Sequence, residues 1–288
     1  MTPRSFTDHV LSLEAQLSPA ERRVAQHFRD HREEVLLASA AELARKAGTS
    51  DATVIRTVRT LGYDGLDAMR RAIAQELRRH LSPAARIART LHEIGDDLDA
   101  VFNATLDLHA ASIVALKQKI RPAQFRMAVD HALRADRIAV FGIGPSGAMA
   151  GYLAMQLGRF GIDTMTLSDT GLLLADRLLN LRKGDLLVVM AYSRVYPELR
   201  ALLDRADALG LPKILVTDTL GPELAGRVEL VLDIPRGRAD TISLHTATLA
   251  FIEAWLVGIA SQRKAQTVEA LGELNRLRAA VAGPDLSL

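Results

Sequence analysis

The sequence predicts two domains of different class, an all-helical domain followed by an α/β domain, and three observations carry this prediction. The chain has 288 residues, which suits two domains better than one, because domains cluster near ~100 to 150 residues. Apolar residues recur three and four positions apart through residues 1–80, which is the spacing of helices. From residue 137 onward, short apolar runs alternate with helical segments, which indicates a parallel sheet covered on both faces.

Composition restricts the classes of function. With 49% hydrophobic and 24% charged residues, the chain can bury a core. The absence of cysteine excludes disulfides and zinc–thiolate sites. The net charge of only +2 means that any contact with a polyanion has to come from a local group of arginines and lysines. We expect a cytoplasmic protein without a membrane span, because no secretory signal is visible and the most apolar late segment, residues 246–260, is short and contains Glu253.

The N-terminal domain is expected at residues 1–80, where the helices have clear start and stop signals. Ser18, Pro19 and Glu21 form a capping-box pattern that starts a helix reaching about Asp30. Further helices are predicted at residues 40–47, 50–61 and 66–80. Residues 81–110 are expected to form a helical linker, and residues 111–288 the second domain.

The second domain is predicted to contain a five-stranded parallel sheet flanked by helices, in flavodoxin- or Rossmann-like layers. The predicted strands are Ile138–Phe141, Thr164–Leu167, Leu186–Ala191, Ile214–Thr217 and Leu230–Ile234. In sheets of this kind, ligands bind beyond the carboxyl ends of the strands. The turns that follow these strands are therefore the first place to look for a site.

Residues 41–62 predict a helix-turn-helix, because two short helices are joined by a tight turn that contains Gly48. Four apolar side chains have the spacing of a small core, namely Leu43, Val54, Val58 and Leu61. This spacing leaves hydroxyls and a guanidinium on the other faces of the second helix, where they suit phosphates and base edges. With Ser50 at the helix start, where free N–H groups can meet a phosphate, the predicted DNA contacts are Ser50, Thr53, Arg56, Thr57 and Thr60.

The segment from Ser39 to Leu66 resembles the DNA-binding domain of the RpiR-type transcription regulators of sugar metabolism. The resemblance lies in Ala41-Glu42-Leu43-Ala44, in Leu61-Gly62-Tyr63, and in a Ser-x-x-Thr-x-x-Arg pattern that stands here as Ser50, Thr53 and Arg56. That family joins such a domain to a C-terminal sugar isomerase (SIS) domain. The resemblance implies a transcription regulator that binds a double-stranded operator. Because operators read by a helix-turn-helix usually present two half-sites to a twofold assembly, we expect a homodimer or homotetramer. The resemblance also implies that operator affinity is modulated by a small carbohydrate derivative, expected to be a sugar phosphate.

The first predicted strand runs into Gly-Ile-Gly-Pro-Ser-Gly, residues 142–147, a glycine-rich turn that opens a helix. Backbone N–H groups in such a turn can approach an anion closely. Gly142, Gly144 and Gly147 also satisfy the G-x-G-x-x-G pattern of dinucleotide-binding folds, and Asp169 follows where a ribose-binding acid is expected. An NAD(H)-sensing repressor is therefore the alternative function.

SIS domains resemble this chain in a first loop of type G-x-G-x-S and in a second, serine-rich loop after the third strand, here residues 191–196. The family's Ser-x-Ser-Gly-x-Thr pattern would place serine at Ala191, glycine at Arg194 and threonine at Tyr196, so only Ser193 keeps a matching hydroxyl. Arg194 either grips an anionic ligand or fills the phosphate pocket. The resemblance implies effector contacts from Gly142, Gly144, Ser146, Gly147, Ser193, Arg194 and Tyr196.

The sequence gives little support for catalysis. The eight histidines have no metal-ligand spacing, and neither Ser146 nor Ser193 has a base adjacent in sequence. We therefore expect no metal, no cofactor and no enzyme activity. A phosphosugar isomerase is the less favoured alternative, since it needs a paired acid and base, with Glu253 as the candidate acid.

Overall fold

The computed structural model describes residues 6–36, 38–80, 83–237 and 241–282, and the chain divides into two compact units. The first unit extends to His92 and includes Thr241 and Ile242, and the second contains Glu93–Gly237 and the chain from Ser243 onward. Leu81 and Ser82, where the sequence predicts the domain boundary, lie outside the described residues.

The first unit is helical, as the sequence predicts. Its helices are α1 (Phe6–Leu13), α2 (Pro19–Asp30), α3 (Arg32–Val35), α4 (Ala40–Lys46), α5 (Asp51–Thr60), α6 (Leu66–His80) and α7 (Pro83–Ile94), the last of which ends beyond the unit boundary. The four side chains predicted to form its core, Leu43, Val54, Val58 and Leu61, are fully buried. They pack in one cluster with Phe28, Met69 and Ile73.

Two helices of this unit start with the same device, a Ser-x-x-Glu capping box. At the start of α2, Glu21 Oε2 accepts from the Ser18 backbone N–H at 3.0 Å, while Ser18 Oγ accepts from the Glu21 N–H at 3.4 Å. At the start of α4, Glu42 Oε2 accepts from the Ser39 N–H at 2.7 Å, while Ser39 Oγ accepts from the Glu42 N–H at 3.2 Å. Both boxes satisfy first-turn N–H groups that have no partner within the helix.

The second unit contains the predicted five-stranded parallel sheet. Helices α8 (Leu98–Lys119) and α9 (Pro122–Arg134) precede it. The strands are β1 (Arg137–Gly142), β2 (Thr164–Leu167), β3 (Asp185–Met190), β4 (Lys213–Thr217) and β5 (Leu230–Asp233), in the order β2-β1-β3-β4-β5. The crossovers carry α10 (Pro145–Arg159), α11 (Gly171–Leu179), α12 (Pro197–Leu209) and α13 (Gly221–Leu224), and α14 (Thr246–Gln262) and α15 (Lys264–Ala282) follow. Each predicted strand agrees with the observed one to within one residue.

Helices cover both faces of the sheet, which explains the near-continuous apolar strands. In β1, Ile138 and Val140 face the cluster built with α9, α10 and α14, whereas Phe141 faces the cluster built with α11 and α12. The apolar sequence of α14 serves this core, since Trp255 and Ile259 are fully buried within the unit. In the part of the chain that the structure describes, no helix is both long enough and apolar enough to cross a membrane.

Ion pairs hold the amino ends of the central strands. Asp185, at the start of β3, is fully buried and accepts from Arg137 at the start of β1 through both oxygens, at 3.0 and 2.7 Å. The same carboxylate accepts from the Arg182 backbone N–H at 2.9 Å. At the start of β4, the buried Lys213 ammonium donates to the Leu211 carbonyl at 2.8 Å and pairs with Asp207 at 3.2 Å. A charge this deeply buried is tolerated because it has both a counter-ion and hydrogen bonds.

Candidate functional site

Helix α5 presents its charged side chains to solvent at one face. Asp51, Ala52, Arg56 and Arg59 are exposed along it, while Val54 and Val58 are buried against the rest of the unit. Ser50 caps the helix, its Oγ accepting from the Thr53 N–H at 3.3 Å. Beyond its capped start, the exposed face of α5 thus offers two guanidinium groups, which bind phosphates readily.

Two of the hydroxyls predicted to contact DNA are buried, so the sequence prediction of an outward face for them is wrong. Thr57 has no exposed surface, and its hydroxyl donates to the Thr53 carbonyl at 2.8 Å, one turn earlier. The Thr53 side chain is nearly buried, and its hydroxyl lies 3.0 Å from Ser50 Oγ. Both hydroxyls serve hydrogen bonds within α5, because short polar side chains in a helix readily bond to the preceding turn.

Arg56 and Thr60 keep the accessible positions predicted for them. The Arg56 side chain is 67% exposed, and its Nη2 donates to Thr53 Oγ1 at 3.4 Å. Thr60 is half-buried, and its single hydroxyl proton faces two acceptors, the Arg56 carbonyl at 3.1 Å and Glu21 Oε1 at 3.2 Å. Arg59 is not among the predicted contacts, although its position three residues after Arg56 on the same amphipathic helix predicts the same exposed face.

The glycine-rich turn after β1 needs its glycines. Gly144 has φ +62° and ψ −132°, a conformation in which side chains are rarely found. A Cβ at Gly142 would overlap the Ser146 carbonyl, and one at Gly147 would lie 2.9 Å from the Gly142 carbonyl. Because neither glycine has a side chain, the start of α10 can lie close against the end of β1. The resulting turn places N–H groups and the Ser146 hydroxyl at the carboxyl edge of the sheet.

The loop after β3 is held by its backbone. Ser193 has φ +68°, and its N–H donates to the Thr219 hydroxyl, in the turn after β4, at 3.1 Å. A serine in this left-handed region is uncommon and costs conformational energy. Arg194, where the SIS pattern has glycine, is exposed, and its Cζ lies 4.8 Å from the centre of the Tyr196 ring. The guanidinium therefore stacks on an aromatic ring at the mouth of the loop.

The fold brings the two predicted effector loops to the same edge. Strands β1 and β3 are neighbours, with Gly142 directly beside Met190, so their carboxyl ends lie together. The connections from β1 and β3 depart toward opposite ends of the sheet, because β2 lies on the far side of β1 and β4 on the far side of β3. Such a switch point leaves a crevice between the two loops, where open α/β sheets bind ligands.

A polar cluster that the sequence analysis missed adjoins the second loop. The Tyr192 hydroxyl lies 3.0 Å from Thr248 Oγ1, and the Arg236 Cζ lies 4.3 Å from the centre of the Tyr192 ring. His245 meets the same ring edge-on at 5.7 Å, and its Nε2 lies 3.3 Å from Arg236 Nη2. Arg236 follows β5 and His245 precedes α14, so only the fold brings them together.

Burial sets the protonation of this cluster. It raises the pKa of Tyr192 to about 12, and burial beside the Arg236 guanidinium lowers the pKa of His245 to about 4. Both groups are therefore neutral near pH 7. Because a guanidinium only donates, His245 Nε2 accepts from Arg236 and its proton lies on Nδ1, a buried atom that has no hydrogen-bond partner among the residues that the structure describes.

Asp169 and Glu253, the residues predicted for NAD(H) binding and for isomerase chemistry, both hydrogen-bond to other side chains of the protein. Asp169 accepts from Arg177 at 3.0 Å, and the strand order is that of flavodoxin-like sheets and not the dinucleotide-binding order. Glu253 lies on the exposed face of α14 and accepts from the Tyr152 hydroxyl at 3.2 Å. Among residues 6–36, 38–80, 83–237 and 241–282, no three His, Asp or Glu side chains converge to hold a metal ion.

Comparisons with known proteins match each unit separately. Residues 7–80 match the helix-turn-helix domain of the rpiR family, and residues 133–258 match the SIS domain. The chain is 28% identical over 234 residues to the HTH-type transcriptional regulator HexR of Pseudomonas aeruginosa, which covers 81% of this chain and 79% of that protein. It is 29% identical over 271 residues to the bifunctional protein glk of Burkholderia pseudomallei, covering 91% of this chain and 41% of that protein. The chain thus spans about two fifths of the length of this longer relative.

Solved structures share the fold. The Vibrio vulnificus NanR protein complexed with ManNAc-6P superposes with a TM-score of 0.60 at 20% identity, over 96% of this chain and 99% of that one. The sugar isomerase domain of an RpiR transcription factor from Sphaerobacter thermophilus gives a TM-score of 0.54 at 26% identity, over 58% of this chain and 94% of that one. The chain therefore joins a helix-turn-helix domain of the rpiR family, at residues 7–80, to a SIS domain at residues 133–258.

Proposed function

We propose that this chain is a transcription regulator that binds operator DNA through α5 and responds to a sugar phosphate at the carboxyl edge of its sheet. The single observation that carries the proposal is the position of Arg56 and Arg59 on the exposed face of α5, in the second half of the helix. A helix of this kind can enter the major groove with its arginines on phosphates and base edges. The protein acts in the cytoplasm, where it meets DNA.

The proposed effector site is the crevice between residues 142–147 and 191–196, at the switch point of the sheet. The glycine turn supplies N–H groups for an anion, and Arg194 supplies a charge in place of the hydroxyls that the second loop lacks. NanR is solved with ManNAc-6P, which is also a sugar phosphate, and this supports the ligand class proposed here. The buried Nδ1–H of His245 is a further donor available for a ligand oxygen.

We propose that the chain itself is not an enzyme. Isomerisation of a sugar phosphate needs an acid and a base at the bound sugar. The candidate acid, Glu253, is exposed and bonded to Tyr152, two helical turns from the start of α14. The glk relatives are called bifunctional, but most of their length lies outside the region that this chain matches.

We propose that the regulator works as a homodimer or homotetramer. A single helix-turn-helix makes few contacts, and operators usually present two half-sites ~34 Å apart to a twofold assembly. Helix α8 supports self-association, because Leu98, Phe102 and Leu106 recur every fourth residue and are all exposed. An apolar stripe of this kind on a folded unit favours burial against another surface.

The test joins a DNA selection with a ligand screen. A duplex selected from a random pool by the full chain should bind Arg56→Ala about tenfold or more weakly, which corresponds to ~1–3 kcal/mol per contact. The melting temperature should change little, because the Arg56 side chain is 67% exposed and an exposed ion pair contributes little to stability. Arg71→Ala, an exposed arginine on α6, is the control and should bind as the parent does.

The ligand screen measures the melting temperature with sugar phosphates, free sugars and NAD(H). A sugar phosphate at ~100 times its Kd should stabilise the protein by ~2.7 kcal/mol, since it binds only the native state. Stabilisation by NAD(H) alone would replace the sugar-phosphate proposal, and a pool that yields no enriched duplex would remove the regulator proposal altogether.

A further inference from the structure

We propose that Glu21 is a positioning residue for DNA binding: its carboxylate, buried at the start of α2, orients Arg56 on α5. This inference rests on the proposed function, because it concerns the same DNA-contacting helix. It assigns a role in recognition to a residue outside the helix-turn-helix segment, residues 41–62, that the sequence singles out.

The two oxygens of Glu21 face different helices. Oε2 closes the capping box, accepting from the Ser18 N–H at 3.0 Å and from the Ser18 hydroxyl at 2.6 Å. Oε1 faces α5, where it accepts from Thr60 Oγ1 at 3.2 Å and lies 3.8 Å from Arg56 Nε. A single carboxylate therefore ties the first turn of α2 to the last turns of α5.

The Arg56 guanidinium contacts the protein on one side, while most of the side chain is exposed to solvent. Its side chain is 67% exposed, whereas the Glu21 side chain is 10% exposed. Nε faces Glu21 and Nη2 donates to Thr53 Oγ1, so two points along the guanidinium are held. A free arginine side chain has many rotamers, and fixing one of them before binding reduces the entropy lost on contact with DNA.

Because Glu21 is negatively charged, removing its charge has opposite expected effects on DNA affinity under the two explanations of its role. Hydrogen bonds from Ser18, together with Thr60 and the Arg56 guanidinium, hold the pKa of Glu21 below its usual value, so the carboxylate is ionised near pH 7. A negative charge close to the DNA-facing helix weakens binding if it acts only through its field. Removing it should then strengthen binding, whereas loss of a positioning residue should weaken binding.

The second capping box supplies a matched control. Glu42 makes the same bonds to Ser39 as Glu21 makes to Ser18, and its pKa is lowered for the same reason. Glu42 is exposed, however, and the hydrogen bonds of its carboxylate among the described residues go to Ser39, with Arg45 and Lys46 contributing only through their charge. Glu21→Gln and Glu42→Gln thus remove the same charge from the same motif, and only the first touches Arg56.

The experiment measures affinity of the full chain for the selected duplex in a double-mutant cycle. Glutamine has one acceptor oxygen, so Glu21→Gln loses either the Ser18 bond or the pair with Arg56 and Thr60. We expect Glu21→Gln to weaken binding about fivefold to tenfold, and Arg56→Ala about tenfold or more. In the Arg56→Ala background, Glu21→Gln should have no further effect, because coupled residues are not additive.

Glu42→Gln should leave affinity within about twofold of the parent and should lower the melting temperature less than Glu21→Gln does, because Glu42 is exposed and has no contact with Thr60. Three outcomes would each overturn the inference. Glu21→Gln could bind DNA more strongly than the parent, or the double variant could lose affinity by the product of the two single fold-changes. Glu42→Gln could also lose as much affinity as Glu21→Gln. If Glu21→Gln does not fold, Glu21→Asp decides, since it keeps the charge but withdraws it from Arg56 and should also weaken binding. Failure of the proposed function is distinct, because the parent would then select no duplex.

Discussion

The two units of the molecule each present an arginine to solvent at the proposed site, but they hold it in different ways. Arg56 on α5 lies over the carboxylate of Glu21 and the hydroxyl of Thr53. Arg194 in the loop after β3 stacks instead on the ring of Tyr196. The first arginine is paired with a fixed acid, whereas the second is stacked on an aromatic ring.

This difference matches the ligands that we propose. DNA is a dense polyanion that attracts any arginine, so a side chain paired with a fixed acid favours a defined contact over general attraction. A small phosphate has one anionic group to offer, and a guanidinium close to it gives a strong charge-assisted hydrogen bond. The surroundings of Arg56 therefore favour a fixed orientation of its side chain toward DNA. The surroundings of Arg194 favour a strong electrostatic interaction with a phosphate.

The largest expected effect tests the charge of Arg194. Arg194→Gly should weaken binding of a sugar phosphate about tenfold to a hundredfold, the equivalent of ~1.5–3 kcal/mol for a charge-assisted hydrogen bond. Isothermal calorimetry with the sugar phosphate found in the screen measures this. Arg194→Gln is the matched variant, because it removes the charge without adding glycine flexibility to the loop. Tighter binding by both variants would show that Arg194 fills the pocket and would end the comparison with Arg56.

A smaller effect is expected from His245, in the cluster beside this loop. Its pKa is about 4 in the folded protein and near 6.5 when unfolded, so the unfolded chain binds more protons between these values. Stability is then complete above about pH 6.5 and falls as the pH drops toward 4. At pH 5 the loss is at most ~2 kcal/mol, or a few degrees in the melting temperature.

His245→Gln removes this titration. Thermal unfolding at pH 7.5 and pH 5 should show a smaller drop in melting temperature for the variant than for the parent. The comparison uses the difference between the two pH values, so a constant loss of stability in the variant cancels. Equal drops in both proteins would mean that His245 is protonated as readily in the folded chain as in the unfolded one.

The smallest effect separates structure from recognition within α5. Thr57→Val removes a buried hydroxyl that donates to the Thr53 carbonyl, and should cost about 1 kcal/mol of stability without changing DNA affinity. Thr60→Val, at the half-buried end of the helix, is the partner variant and should reduce DNA affinity modestly through its bond to Glu21. Binding assays at matched fractions of folded protein distinguish the two. A weaker complex with Thr57→Val would restore Thr57 to the contact surface.

Helix periodicity and strand patterning predicted the fold well, because both follow from burial within one element. Val54 and Val58 were assigned correctly to the core, and the strands were located to within one residue. The strand order was not predictable in this way, since it depends on which apolar faces pack together in three dimensions. Thr53 and Thr57 were misassigned because a threonine hydroxyl can satisfy itself on the preceding turn and then be buried.

The sequence predicts a site residue reliably only where the backbone of a turn admits glycine alone. The glycines at 142, 144 and 147 are such a case, because the turn admits no side chain at two of them and requires positive φ at the third. Tyr192, Arg236 and His245 come from three separate segments, and their spacing in the sequence does not predict that their side chains stack together. Glu21 was recognised as a helix cap, but its second oxygen has a partner on another helix that local sequence does not reveal.

The paired charges at the amino ends of β1, β3 and β4 have a consequence for how such a sensor diversifies. Asp185 with Arg137, and Lys213 with Asp207, fix one edge of the sheet, while the glycine turn and the loop at 191–196 occupy the other. Substitutions at the loop edge should therefore cost less stability than substitutions at the edge with the paired charges. A library randomised at residues 193–196 should retain a high proportion of folded variants, whereas one randomised at residues 182–185 should retain few, so new effector specificities are accessible to selection without a prior stabilising mutation.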